Sequence, residues 1–283
     1  MSDRYAVFGN PVAHSQSPLI HAEFARQTGQ DISYSAILAP LDAFPGAVRA
    51  FAAQGARGAN VTLPFKLDAY ALASSVTARA ESARAANTLV FERGTIEADN
   101  TDGAGLIADL QTNLACPVRS KRVLLMGAGG AARGVLLPLL IERPASVTIA
   151  NRTLARAHSL QVEFAAIAAR REAQIQTIPV HASDYAGLRG SEFDLVINAT
   201  SSSLARELLP LPPGVFSHRA LAYDMMYGRG LTPFLEFALA QGAAYTADGL
   251  GMLVEQAAES FFVWRRVRPD TAPVLARLRS LAR

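Results

Sequence analysis

An α/β fold of two units is what the sequence predicts, and three observations predict it. Short apolar runs of strand length alternate with helical segments, the pattern of a mainly parallel sheet. One stretch, Lys121 to Arg156, reads strand, glycine cluster, helix, strand, which is a βαβ unit with the spacing of a dinucleotide-binding turn. The 283 residues, half of them hydrophobic, leave room for two domains around an ample core.

Bulk properties exclude several classes. The net charge is only +3, and the basic residues are scattered rather than striped with aromatics, so nucleic acid is not an expected partner. The amino terminus enters a strand directly and no apolar stretch reaches membrane-spanning length, so no membrane partner is expected. Cys116 is the only cysteine, which excludes an internal disulfide and fits a reducing compartment; the expected location is cytoplasmic. Of 27 lysines and arginines, only Lys66 and Lys121 are lysine. An ammonium can give up a proton in a shielded site and a guanidinium cannot, which singles out Lys66.

Taken in order, Tyr5–Gly9 reads as a first strand, broken at Asn10-Pro11. A loop with His14, Ser15 and Ser17 leads to a helix from about Leu19 to Thr28. Ser17 before Pro18 fits a helix cap, whereas Ser15 has no such duty, and two hydroxyls beside a helix start make a carboxylate cradle. His14 and His21 lack clustered ligands, so loop or surface roles are expected and no metal. Ile32–Leu38 is a second strand, Phe44–Gln54 a helix, and Gly58–Leu63 a third strand ending at Pro64-Phe65-Lys66. Asn87–Phe91 and Thr95–Ala98 form a hairpin turning at Arg93-Gly94. Its second arm delivers Asp102 before a helix, Leu106–Leu110, where the acid is either a cap or a functional group. Ligands of such sheets gather at the carboxyl ends of strands, where Ser15, Ser17, Thr62 and Lys66 all fall.

In the βαβ unit, strand Val123–Met126 runs into Gly127, Ala128, Gly129, Gly130 and Ala131. Gly127 permits the tight turn, Gly129 admits a pyrophosphate, and Ala132 keeps helix close to strand. The helix N-terminus offers unpaired N–H groups to that pyrophosphate. The strand Val147–Ile149 ends in Asn151, Arg152 and Thr153, with Arg156 a turn on, where an NAD site carries an acid for the ribose hydroxyl. Two guanidinium groups there predict NADP. Beyond lie a helix to about Arg171, a strand near Ile175, an apolar strand Asp194–Asn198 with the polar loop Thr200–Ser203, and a last strand Leu221–Met225. Helices Thr232–Ala240, Leu253–Arg265 and Thr271–Leu281 close the chain.

The segments FGNPVAHSQSP, GANVTLPFK, NTL, DNTDG, GAGGAAR, NRT, INATSS, YDMMY, TPF and ADGLGMLVEQA together resemble the shikimate dehydrogenases, from Tyr5 to the final helices. The resemblance implies a split N-terminal catalytic α/β domain (1–101 and 238–283) clasping a Rossmann-type NADP-binding domain (102–237), with the active site in the interdomain cleft. It implies Lys66 and Asp102 as the catalytic pair, Ser15, Ser17 and Tyr227 on the substrate carboxylate, and Thr62, Asn87, Asp102 and Gln256 on the ring hydroxyls. Gly127 to Ala131 would hold the pyrophosphate, Asn151, Arg152, Thr153 and Arg156 the 2′-phosphate, and Thr200, Met225 and Gly249 the nicotinamide end. The implied partner is shikimate or 3-dehydroshikimate, and the chain a monomer or homodimer. Two departures stand out: Arg84-Ala85-Ala86 replaces a small Gly-Ala-Val run, so that Arg84 either perturbs the Asn87 loop or points outward, and Ser203 replaces a frequent glycine. A quinate/shikimate dehydrogenase is the nearest alternative, which Ser17 and Arg156 argue against. A non-catalytic NADP-binding regulatory module is another, which retention of Lys66 and Asp102 argues against.

Overall fold

The structure is a computed structural model that describes residues 2–169, 177–203, 207 and 209–282. The described residues form two six-stranded sheets. In chain order the first half gives β1 (Asp3–Gly9), α1 (Ser17–Thr28), β2 (Ile32–Leu38), α2 (Phe44–Ala53), β3 (Gly58–Val61), α3 (Lys66–Leu72), β4 (Ser75–Val76), α4 (Ala78–Ala83), β5 (Thr88–Glu92), β6 (Thr95–Asp99) and α5 (Asp102–Ala108). The first sheet has the order β2-β1-β3-β5-β6-β4. It is parallel where α1 and α2 provide crossovers, and antiparallel at β3-β5 and β5-β6. Arg93 and Gly94, both at positive φ, turn the β5–β6 hairpin as expected.

The second half gives β7 (Arg122–Met126), α6 (Gly130–Ile141), β8 (Ser146–Ala150), α7 (Leu154–Ala168), β9 (Val180–Ser183), β10 (Phe193–Asn198), β11 (Phe216–Asp224), α8 (Pro233–Ala240), β12 (Tyr245–Asp248), α9 (Leu250–Arg265) and α10 (Ala272–Ala282). The second sheet, β12-β11-β10-β7-β8-β9, is parallel throughout. The chain starts at β7, winds outward through β8 and β9, then crosses to β10. The order therefore reverses between β7 and β10, where doubly wound sheets bind ligands.

Several expectations need correction. Leu221–Met225 is not the last strand, since Tyr245–Asp248 pairs with β11. Within 238–248, placed above with the first unit, the strand Tyr245–Asp248 therefore extends the second sheet, and the chain returns to the first only with α9. The helix expected from Leu106 starts at Asp102 and gives way after Ala108 to a wider π turn, Asp109–Asn113. The strand expected near Ile175 lies outside the described residues. Short segments such as α3, β4 and α4 escaped the sequence reading because none is long enough to show a period.

The return of α9 has a packing cause. Val254, Ala257, Ala258 and Phe261 bury one face of α9 against Ile20 and Phe24 of α1, with Val274 and Leu278 of α10 completing the cluster. Trp264 donates its indole N–H to Leu89 O at 3.0 Å. It fits only because Gly58 has no side chain; a Cβ there would lie 2.5 Å from Nε1.

His21 corrects the expectation of a surface role, since it lies on the inward face of α1 and is wholly buried. Its ring stacks on Tyr34 at 4.2 Å, with Phe24, Phe261 and Trp264 around it. Neither ring nitrogen has a partner of good geometry among the described residues, and the Asn60 side chain only partly offsets the loss of water. Burial accordingly pushes the imidazole from 6.5 down to about 3. The unfolded chain then takes up a proton that the folded chain refuses, so the stability contributed above pH 6.5 is lost as pH falls below it. The loss is about 1.4 kcal/mol per pH unit. Urea unfolding at pH 6.5, 5.5 and 4.5 should show this slope, and His21→Phe should be flatter by that amount; equal slopes in the two proteins would remove His21 as the cause.

Candidate active site

Two helix starts bring the central residues together. β3 runs through Thr62–Phe65 into α3, whose first residue is Lys66, and β6 runs through Asn100 and Thr101 into α5, whose first residue is Asp102. Lys66 Nζ donates to Asp102 Oδ2 at 2.5 Å; the carboxylate is fully buried and the lysine side chain 13% exposed. The other oxygen, Oδ1, accepts from Asn87 Nδ2 at 2.9 Å. Thr101 occupies the cap position of α5 without a side-chain cap bond, so the capping alternative for Asp102 falls. The Asn87 amide is oriented by Thr101 N–H, which donates to Oδ1 at 2.8 Å, leaving Nδ2 for Asp102 and for Gln256 Oε1 at 3.0 Å. Lys66, Asn87, Asp102 and Gln256 thus converge from four separate parts of the chain.

The cofactor helix bears directly on this cluster. Along α6, Gly130, Gly134 and Pro138 are spaced by four and share one face. A Cβ on Gly130 would lie 3.1 Å from Lys66 Cβ, and one on Gly134 would lie 3.0 Å from Asp102 Oδ2. Pro138 packs on Gly103, where a Cβ would lie 2.1 Å from its ring. Only a helix bare of side chains here can lie flat on the pair.

At the other end of the cleft, Ser17 sits in the first turn of α1 behind Gln16, so it does not cap the helix with its side chain as expected. Instead Ser15 Oγ accepts from Ser17 N–H at 3.3 Å, and the Ser17 hydroxyl lies beside the buried Tyr34 phenol. The Tyr227 phenol is pushed up by burial, and the backbone N–H of Gln16 donates to it, which places Tyr227 against the Ser15–Ser17 loop. Thr62 is half-buried at the end of β3, and among the described residues no side-chain hydrogen bond joins it to the other candidates.

The dinucleotide face fits the group expected there. Gly127 has φ of +110°, and a Cβ would come within 3.1 Å of Ala199 O and 3.2 Å of the Thr200 methyl, so the tight turn needs glycine. A Cβ on Gly129, the exposed cap residue of α6, would meet nothing within 4 Å, and no side chain caps the helix. Its first N–H groups are therefore open to an anion. Asn151 Nδ2 donates to Thr153 O at 2.9 Å, shaping the start of α7, with Arg152, Thr153 and Arg156 exposed around it. Thr200 Oγ1 donates to Asn198 Oδ1 at 2.7 Å. Gly249 closes on Met225, whose carbonyl oxygen would be 2.3 Å from a Cβ.

Both departures from the family pattern have a place. Arg84 ends α4 in the left-handed conformation and reaches outward to Glu163 of α7 at 3.8 Å, so the Asn87 loop is undisturbed by its side chain. Ser203 Oγ donates to Asp224 Oδ2 at 2.6 Å, tethering the polar loop to the end of β11. Sequence reasoning missed the buried hydroxyls and amides beneath the site. Asn60 donates to Asn87 O, Thr88 Oγ1 and Ser260 Oγ, and accepts from Tyr34 OH at 2.8 Å. The alternation of β3, which puts Asn60 on the face of Thr62, was the available signal.

A doubly wound sheet whose glycine-turn helix rests on a lysine–carboxylate pair defines a dinucleotide-dependent oxidoreductase. Three family models match the chain: the shikimate dehydrogenase substrate binding domain over 7–89, shikimate / quinate 5-dehydrogenase over 109–206, and the shikimate 5'-dehydrogenase C-terminal domain over 249–279. The chain is 60% identical over 280 residues to shikimate dehydrogenase (NADP(+)) of Nitrosospira multiformis, covering 99% of this chain and 98% of that protein. It is 59% identical over 277 residues to the protein of the same name from Aromatoleum aromaticum, covering 98% of this chain and 97% of that one. A crystal structure of shikimate 5-dehydrogenase from Thermus thermophilus in complex with NADP(H) and shikimate is 32% identical, with a TM-score of 0.82, covering 98% of this chain and 99% of that one. The chain belongs to the NADP-dependent shikimate dehydrogenase family.

Proposed function

We propose that the chain catalyses the reversible NADPH-dependent reduction of 3-dehydroshikimate to shikimate, with the first sheet, α9 and α10 holding substrate and the second sheet holding cofactor. When bound, NADPH supplies the hydride that reduces the ring ketone. The observation that carries the reading is the buried Lys66–Asp102 pair lying on the first two turns of α6. As hydride reaches carbon, negative charge builds on the ketone oxygen, and the Lys66 ammonium stabilises it and donates the proton. Lys66 is left neutral and regains a proton from water through its small exposed surface. In the oxidation direction it takes the hydroxyl proton as base. Asp102 keeps the ammonium in place and accepts from a neighbouring ring hydroxyl, while Thr62, Asn87 and Gln256 serve the remaining hydroxyls.

Ser15, Ser17 and Tyr227 offer three hydroxyl groups to the substrate carboxylate. The glycine turn from Gly127 to Ala131 holds the pyrophosphate, Asn151, Arg152, Thr153 and Arg156 hold the 2′-phosphate, and Thr200, Met225 and Gly249 line the nicotinamide end. A site rich in buried polar groups rejects analogues that lack a hydroxyl, since a missing partner leaves a group unpaired. Among the described residues no helix is long and apolar enough to cross a membrane, and with the lone cysteine this supports a cytoplasmic setting. One spectrophotometric matrix tests the function: shikimate and quinate, each with NADP and NAD. Turnover confined to shikimate with NADP is expected. Comparable rates with quinate and NAD would make the chain a quinate/shikimate dehydrogenase, and cofactor binding without turnover a regulatory module.

A further inference from the structure

Asn100 is assigned no contact with substrate or cofactor above, yet it joins three segments of the site. It is 3% exposed, between the end of β6 and Asp102. Its Oδ1 accepts from the backbone N–H of Asp102 at 3.1 Å, fixing the turn that aims the Asp102 carboxylate. Its Nδ2 donates to Ala85 O at 2.9 Å. The next residue, Ala86, donates its backbone N–H to Lys66 O at 2.8 Å, and Asn87 follows. One amide therefore ties the backbone that carries Asp102 to the strap that carries Asn87 and holds Lys66. The third segment is α6, since a Cβ on Gly134 would lie 3.0 Å from Asn100 Oδ1 and 3.1 Å from Nδ2.

Asn100 is itself held in place. Its N–H donates to Asp99 Oδ1 at 2.7 Å, and Asp99 is clamped by Arg79 and Thr77. The Asp99 carboxylate is thus neutralised behind the site. The charged groups near the Asn100 amide are Asp99 with Arg79 and Asp102 with Lys66, while α6 brings only Gly134 and Pro138.

We propose that Asn100 is a positioning residue for the proton transfer, holding Asp102 and the Lys66–Asn87 strap in one frame against the cofactor helix. The proposal rests on Lys66 and Asp102 forming the acid–base pair. Its side chain supplies both halves of the tie, an acceptor for Asp102 and a donor for Ala85. Serine keeps a short acceptor, and alanine loses both.

The test follows shikimate oxidation with NADP in Asn100→Ala and Asn100→Ser, with Lys66→Ala as reference, NADP binding read by fluorescence and the melting temperature of each variant beside it. Asn100→Ala is expected to lower kcat by roughly ten- to a hundredfold, since small misplacements of a reacting group cost this much. KM for NADP should stay within about threefold, because no cofactor group is removed, while KM for shikimate should rise as Asn87 and Asp102 shift together. Asn100→Ser should recover part of the loss. A merely structural role would lower melting temperature and activity together, raise KM for NADP as well, and give no recovery in serine. Wild-type kcat in both variants, or activity losses that track melting temperature alone, would overturn the proposal. If Lys66→Ala is itself active, the reading of the acid–base pair has failed instead.

Discussion

Lys66→Ala is expected to lose turnover by about a thousandfold or more, within the 10²–10⁴ that general acid–base catalysis contributes. NADP affinity, read by fluorescence quenching, should change by less than about threefold, because Lys66 meets α6 through the Gly130 backbone and not through the glycine turn's N–H groups. The control that matters is stability. Asp102 is fully buried, and removing its counter-charge strands a carboxylate, which costs on the order of 3–5 kcal/mol when a buried pair is broken. One donor and the helix end limit the damage: Asn87 Nδ2 still serves Oδ1, and the α5 N-terminus favours negative charge. Lys66→Met keeps the apolar stem and separates the two effects, since it should be as inactive as alanine but better packed. A kcat within about tenfold of the unaltered chain, in a variant that binds NADP normally, would remove Lys66 from the chemistry.

Asp102→Asn adds the complementary measurement. It keeps the shape and removes the charge that holds the ammonium. A smaller loss than in Lys66→Ala is expected, with reduced rather than absent turnover, since Lys66 remains able to donate. Loss of activity equal to that of Lys66→Ala would mean that the carboxylate takes a direct part in moving the proton.

The fold was legible in the sequence wherever a segment was long enough to show a period. The strands around the glycine turn and the long closing helices fall within a few residues of their expected ends. What was illegible depends on tertiary context. β12 is four residues long and gains its identity only from pairing with β11, so the return to the first unit was set too early, at residue 238 rather than after Asp248. Ser17 followed by Pro18 carries the local signature of a capped helix, but the loop bends so that Ser15 serves the Ser17 N–H and Ser17 lies inside the first turn. His21 looked like a surface residue because one polar side chain on an amphipathic helix says nothing about the aromatic wall it faces. Within the site, Lys66 was legible as a rare ammonium at a strand end. Asn100 was not, because its role lies in two backbone groups that only folding brings to it.

On the proposed reading the choice of cofactor rests on groups away from the chemistry, and the largest binding effect is expected there. Arg152 and Arg156 are exposed at the end of β8 and the start of α7, and among the described residues neither forms an ion pair. Thr153, the cap residue of α7, has extended backbone and no side-chain cap bond, so the first N–H groups of the helix are left without a side-chain acceptor from it. An extra phosphate there would take charge-assisted hydrogen bonds of roughly 1.5–3 kcal/mol each. Two such contacts amount to roughly two to four powers of ten in affinity. Replacing both arginines by alanine should therefore raise KM for NADP by about a hundredfold or more, leave KM for NAD within about threefold, and leave kcat at saturation nearly unchanged. The distinction from a general effect lies in NAD, which lacks the 2′-phosphate. If KM for both cofactors rises together, the arginines support the fold of the α7 start rather than the phosphate. If neither rises, selectivity comes from Asn151 and the helix N–H groups alone. Raising ionic strength should imitate the mutation in part, since exposed guanidinium groups are screened within a Debye length of about 8–10 Å, whereas the buried Lys66–Asp102 pair is not.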